Sequence, residues 1–202
     1  MTEKEWLEGA EVKTMLTFLH EKASDRKLRL FAVACCRTNW DALTESDSRK
    51  AVEVAERFAD NLASMDELSE AERDGLLAAY EVQNRGDEPH YAYAAKYAAD
   101  MQPGAPTACS FLAASKVASI WYLRCIFGNP FRPVSVDPSW RTSNVTALAQ
   151  AIYDEKAFDR LPILADALED AGCDNQDILS HCRQPGEHVR GCWVVDLVLE
   201  KE

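Results

Sequence analysis

The sequence predicts an all-α protein, a compact orthogonal bundle of about eight to ten helices. It reads as a single helical domain over 1–202, with 143–202 as a C-terminal helical subregion. Three observations carry this expectation. Apolar residues recur at spacings of three and four through almost the whole chain. Capping residues and Gly/Pro breakers stand between successive periodic stretches. No strand pattern appears, since Val134 to Val136 is too short and lies among prolines. At 202 residues, 47% apolar and 28% charged, the chain has enough apolar surface for one substantial core, which excludes wholesale disorder.

Thr2 and Glu5 form a capping-box pair before a short helix at Glu3 to Leu7. Val12, Met15, Leu16 and Leu19 predict a helix over Val12 to Lys22. Ser24 caps a third helix, striped by Leu28, Phe31, Ala32 and Cys35, that runs to about Leu43. Thr44 and Ser46 precede the next amphipathic stretch, with Val52, Ala55, Phe58 and Ala59. Ser64 or Ser69 caps another through Leu76, Leu77 and Tyr80. After a polar break at Asn84 to Pro89, His90, Tyr93 and Tyr97 share one helix face among alanines. Thr107 to Phe127 reads as the longest helix and the centre of the bundle, stopped by Gly128 and Pro130. A proline-stiffened loop, Gly128 to Arg141, follows. Thr142 or Ser143 caps the next helix, Asp159 another with Pro162 in its first turn, and Asp174 a short one to Arg183. Pro185 and Gly186 turn the chain into a terminal helix over His188 to Leu199.

Lys and Arg total 22 against 34 Asp and Glu, a net charge of −12. Such a surface repels nucleic acid and an anionic membrane surface alike. A protein partner with a basic patch is the macromolecule it favours, although solubility alone explains the same charge. No run of about 18 apolar residues marks a membrane span. Met1 to Glu11 has neither the basic start nor the apolar stretch of a signal peptide, so a cytoplasmic location is expected. The seven cysteines are odd in number, which argues against a disulfide scaffold and for packing thiols.

Four segments carry a resemblance: Asp25-Arg26-Lys27-Leu28-Arg29-Leu30-Phe31, Phe127-Gly128-Asn129-Pro130-Phe131-Arg132-Pro133, Ala157-Phe158-Asp159-Arg160-Leu161-Pro162 and His188-Val189-Arg190-Gly191-Cys192-Trp193. Together they resemble an uncharacterised bacterial protein family abundant in planctomycetes, across nearly the whole chain. The resemblance implies a bacterial, soluble, helical module, standing alone or accompanying larger proteins. It brings no activity and no residue roles.

Cys173, His181, Cys182, His188 and Cys192 fall within 20 residues. Sulfur and imidazole nitrogen are the donors that tetrahedral zinc takes, and four of these residues would staple three short helices. The spacing is not that of a zinc finger, and the reading adopted is packing without a metal or other cofactor, with zinc as the alternative. A Cys192–His188–Asp196 triad fails as catalytic machinery, because Asp196 would lie about 12 Å along a helix from His188. No phosphate-cradling loop or HExxH signature occurs. The leading expectation is therefore a helical protein-interaction or accessory module, with the balance of signals against an enzyme. Its expected interaction or anchoring residues are Phe131, Arg132, Trp140, His90, Tyr93 and Tyr97, with Arg132 bridging its own loop. The alternative is a metal- or thiol-dependent enzyme, or a zinc-stapled domain, centred on the C-terminal Cys/His residues.

Overall fold

The computed structural model describes residues 1–9, 11–19, 22–100 and 116–201, and side chains within 116–119 fall outside that description. The protein is all-α, and no strand occurs among the described residues. Eleven α-helices are described: α1 (Glu3–Glu8), α2 (Val12–Leu19), α3 (Asp25–Thr38), α4 (Ser46–Ala59), α5 (Met65–Asn84), α6 (His90–Ala98), α7 (Lys116–Phe127), α8 (Ser143–Glu155), α9 (Leu161–Asp170), α10 (Gln176–Arg183) and α11 (Trp193–Leu199). Short 3₁₀ turns lie at Trp40–Ala42, Pro138–Trp140 and Phe158–Arg160. The chain divides into two compact units, Met1–Leu123 and Arg124–Glu202, with the division inside α7. No described helix is long and apolar enough to cross a membrane.

The local signals that start these helices are largely those visible in the sequence. Thr2 and Glu5 close a reciprocal capping box at 3.3 and 2.7 Å, and Ser64 with Glu67 repeats it on α5 at 3.2 and 2.8 Å. Thr142 rather than Ser143 caps α8, and Asn175 rather than Asp174 caps α10 by accepting from two backbone N–H groups. Asp159 caps nothing at α9. It lies in the 3₁₀ turn, and Pro162 opens that helix without a side-chain cap. Residues Thr107 to Ser115 of the expected long helix, with Cys109, lie outside the described residues.

In the first unit, α3 is buried nearly all round, from Leu28 through Cys36. It packs on α4 and α6, and α5 packs on the same two helices. Burial on every face requires Arg29 to find partners, and it does. Its guanidinium donates to the carbonyls of Ala98 and Asp100 at 2.8 Å each, which closes the C-terminal end of α6. We expect Arg29→Met to cost about 3 kcal/mol, the value of charged hydrogen bonds lost to buried carbonyls, read as a lower urea midpoint with unchanged slope. An unchanged midpoint would remove Arg29 from the set of residues that hold α6. Glu56 is buried and accepts from Arg37 at 2.7 Å.

In the second unit, α8 through α11 share one apolar core. Val145, Ala149, Ile152, Leu161, Leu164, Leu168, Ile178, Val194 and Val195 are fully buried there. The proline-rich segment before α8 lays Val134, Val136 and Trp140 against this core. The terminal helix is shorter than expected. It begins at Trp193, so His188 precedes it on a non-helical segment and Cys192 is its N-cap residue. Gly191, at φ +89°, supplies the left-handed backbone that interrupts the run.

Candidate metal centre

Three stretches of the second unit deliver four side chains to one point. The last turn of α7 brings Cys125. The last turn of α10 brings His181. The connection from α10 to α11 brings His188 and then Cys192, and its turn is closed by the Cys192 N–H donating to the Val189 carbonyl at 2.9 Å. One donor atom from each of these residues lies within 4.8 Å of all the others. Cys125, His181 and Cys192 are buried and His188 is half-buried.

The individual separations test whether a metal fits. Zn–S bonds of about 2.3 Å and Zn–N bonds of about 2.0–2.1 Å at the tetrahedral angle put sulfur and nitrogen roughly 3.6 Å apart. The His181 Nε2 to Cys192 Sγ distance is 3.3 Å, His188 Nδ1 to Cys125 Sγ is 3.5 Å, and His188 Nδ1 to Cys192 Sγ is 3.9 Å. The two imidazoles meet edge-on, with centroids 4.8 Å apart and planes at 84°. Three sulfur–nitrogen separations near a tetrahedral edge length, with all four donors within 4.8 Å of one another, are compatible with zinc coordination.

The two cysteines of the cluster are shifted in opposite directions. Burial pushes the Cys192 thiol up, but the hydrogen bond with Cys125, the charge and hydrogen bond of His181 and the hydrogen bond of His188 outweigh it and hold its pKa well below the ordinary thiol value. Cys125 is displaced the other way, raised by burial and by the neighbouring Cys192 sulfur. His181 is also fixed from behind. The Gln184 carboxamide nitrogen lies 2.9 Å from its Nδ1, and the donor and acceptor roles of that pair follow the ring's tautomer.

The sequence places the cluster in the right region with a partly different membership. His181, His188 and Cys192 converge as expected. Cys173 and Cys182 do not join them: both are buried in the apolar core, and burial raises the pKa of each. Cys125 takes the remaining place, from more than 50 residues upstream of the others. His188 and Cys192 meet through the turn at Gly191 and not by sharing a helix face, because that stretch is not helical.

The other singled-out residues occupy ordinary structural positions. Trp140 packs against the second core, and Phe131 is half-buried, with its N–H donating to Asn129 Oδ1 at 3.0 Å. Arg132 is exposed, and its backbone N–H closes a turn onto the Asn129 carbonyl at 3.0 Å. In the same loop Arg141 reaches across to α11, donating to the Leu197 carbonyl at 3.3 Å and pairing with Glu200. Tyr93 donates to Gln83 at 2.9 Å and stacks edge-on against Tyr80. Tyr97 lies under the Lys96 ammonium, and exposed His90 faces Glu88 at 3.8 Å. The buried residues of that helix are its alanines.

Gly128 ties α7 to this region. Its φ is +60°, and a Cβ added there would sit 3.2 Å from the Trp193 ring, which in turn lies 5.2 Å from the His181 ring. Gly128→Ala combines left-handed strain with a displaced indole. We expect a loss of about 2 kcal/mol, measured by urea denaturation and accompanied by a shift in Trp193 emission. An unchanged midpoint would show that the indole yields freely.

The expectation that the chain is not an enzyme rests on the failed Cys192–His188–Asp196 triad and the missing phosphate-loop and HExxH signatures, and the Cys125, His181, His188 and Cys192 cluster overturns it. No protein-family model, curated protein or solved structure matches the chain.

Proposed function

We propose that the second unit is a metal-binding module in which Cys125, His181, His188 and Cys192 hold one zinc ion. The observation that supports this most is the convergence of four soft or borderline donors within 4.8 Å of one another, with three sulfur–nitrogen separations of 3.3, 3.5 and 3.9 Å. Two thiolates would neutralise the ion's charge, and the set of donors favours zinc over magnesium or calcium, which take oxygen. Bound there, the ion would tie the end of α7, the end of α10 and the start of α11 to a single point, and its binding energy would add directly to folding energy. This reading takes precedence over an interaction module because its donors converge, whereas Trp140 and the alanines beside the Tyr stripe are engaged in packing.

The test is metal analysis by inductively coupled plasma mass spectrometry on protein purified without an affinity-tag metal. About one zinc per chain is the expected content. Cys173→Ala and Cys182→Ala should retain it, since neither sulfur belongs to the donor set. Metal-free wild-type protein that takes up no added zinc would reject the reading.

A further inference from the structure

The two histidines of the cluster are supported differently. His181 is buried, lies in the last turn of a helix, and has its outer nitrogen held by Gln184 at 2.9 Å. His188 is half-buried on a non-helical segment, and its outer nitrogen, Nε2, is shielded from solvent and has no hydrogen-bond partner among the described residues. Metal-ligating imidazoles depend on such outer partners, which fix the tautomer and ring orientation and raise ligand basicity.

The consequences follow from which nitrogen faces the sulfurs. His181 presents Nε2, so as a neutral ligand it must carry its proton on Nδ1 and donate it outward. Rotating the Gln184 carboxamide by half a turn replaces the amide nitrogen there with its oxygen, which accepts that proton. Gln184 can therefore serve both states, donating to the metal-free ring and accepting from the metal-bound one. His188 presents Nδ1 and must carry its proton on Nε2, where no described residue offers an acceptor. A buried donor without an acceptor carries a desolvation cost, which weakens His188 as a ligand.

Resting on the zinc reading, we propose that Cys125, His181 and Cys192 form a fixed three-ligand platform and that His188 is an exchangeable fourth ligand. A small monodentate donor, such as a free imidazole, a low-molecular-weight thiol or water, would take its place. Two cysteines, one histidine and an exchangeable position form the donor set of a catalytic rather than a closed structural zinc site. Gln184 is then a positioning residue, acting through His181.

Cobalt(II) substitution tests this, because its visible bands report coordination number and donor type directly. His188→Ala should bind cobalt within about tenfold of the wild-type affinity and show altered bands that added imidazole returns towards the wild-type spectrum. His181→Ala should lose about a hundredfold or more, and Gln184→Leu about tenfold, with Gln184→Glu restoring binding because a carboxylate also accepts from Nδ1. His188→Gln, which keeps more of the side-chain volume, and far-ultraviolet circular dichroism of every variant guard against simple misfolding. Equal losses from the two histidine substitutions would overturn the proposal while leaving the zinc reading intact. So would a His188→Ala spectrum that imidazole does not change. A wild-type protein that binds neither cobalt nor zinc would overturn both.

Discussion

Cys192→Ser is expected to abolish zinc binding and, at free zinc a thousandfold above the dissociation constant, to lower the unfolding free energy by about 4 kcal/mol. Cys125→Ser should do the same. Serine keeps the shape of the side chain but removes the thiolate, and a neutral hydroxyl is a poor zinc ligand. The informative comparison is the double variant. If both sulfurs hold one ion, the second substitution has little left to remove, so the double variant should be no less stable than the worse single variant by more than about 0.5 kcal/mol. If both are packing thiols, each substitution should carry its own cost of burying a hydroxyl, and that cost should persist in chelator. Urea denaturation at fixed free zinc, and again in chelator, separates the two cases. Additive losses that are the same in both buffers would sink the ligand assignment.

The fold class was legible because helix signals are local. Thr2 with Glu5 and Ser64 with Glu67 are three residues apart, and each needs only its own turn to act. Burial in α3 was partly legible, since Leu28, Phe31, Ala32 and Cys35 mark its inner stripe, but not that Arg29 would be enclosed as well. Its partners, the Ala98 and Asp100 carbonyls, lie about 70 residues away and are backbone groups, which no pattern of side chains announces. The candidate site shows the same limit. His181, His188 and Cys192 stand close together in the chain, and their density pointed to them. Cys125 has no such neighbour. It ends a helix whose following residues look like an ordinary Gly-Asn-Pro stop, and only the packing of α7 in the second unit brings it to the other donors. Cys173 was named because it was near in sequence, yet it faces the apolar core. The helical period also overran at the C-terminus. Val189, Cys192 and Trp193 continue the pattern of α11, but Gly191 at φ +89° breaks the backbone where side-chain hydrophobicity gives no warning.

Removing the metal should loosen one part of the second unit and leave its centre folded. Hydrogen exchange in the presence and absence of chelator is expected to show protection falling by about a thousandfold over Gln184 to Val194, with little change at Ile152 or Leu164. The reason lies in what each segment has besides the ion. α8 and α9 bury Val145, Ala149, Ile152, Leu161, Leu164 and Leu168 in a core where Cys125 and Cys192 are only two of many buried members, so most of its apolar burial does not depend on ligation. The 184–192 connection is tied by the Gln184 N–H to the Ser180 carbonyl and the Cys192 N–H to the Val189 carbonyl, both at 2.9 Å, and by Arg190, which donates to the Tyr153 carbonyl at 3.3 Å. Pro185, Gly186 and Glu187 within it are exposed. Ordering this segment costs conformational entropy that local contacts do not offset, and ligation of His188 and Cys192 at its far end is what would supply the difference. Exchange that rises uniformly across α8 to α11 would instead make the ion part of the unit's global stability. No change anywhere would mean that the donors hold nothing in the protein as purified.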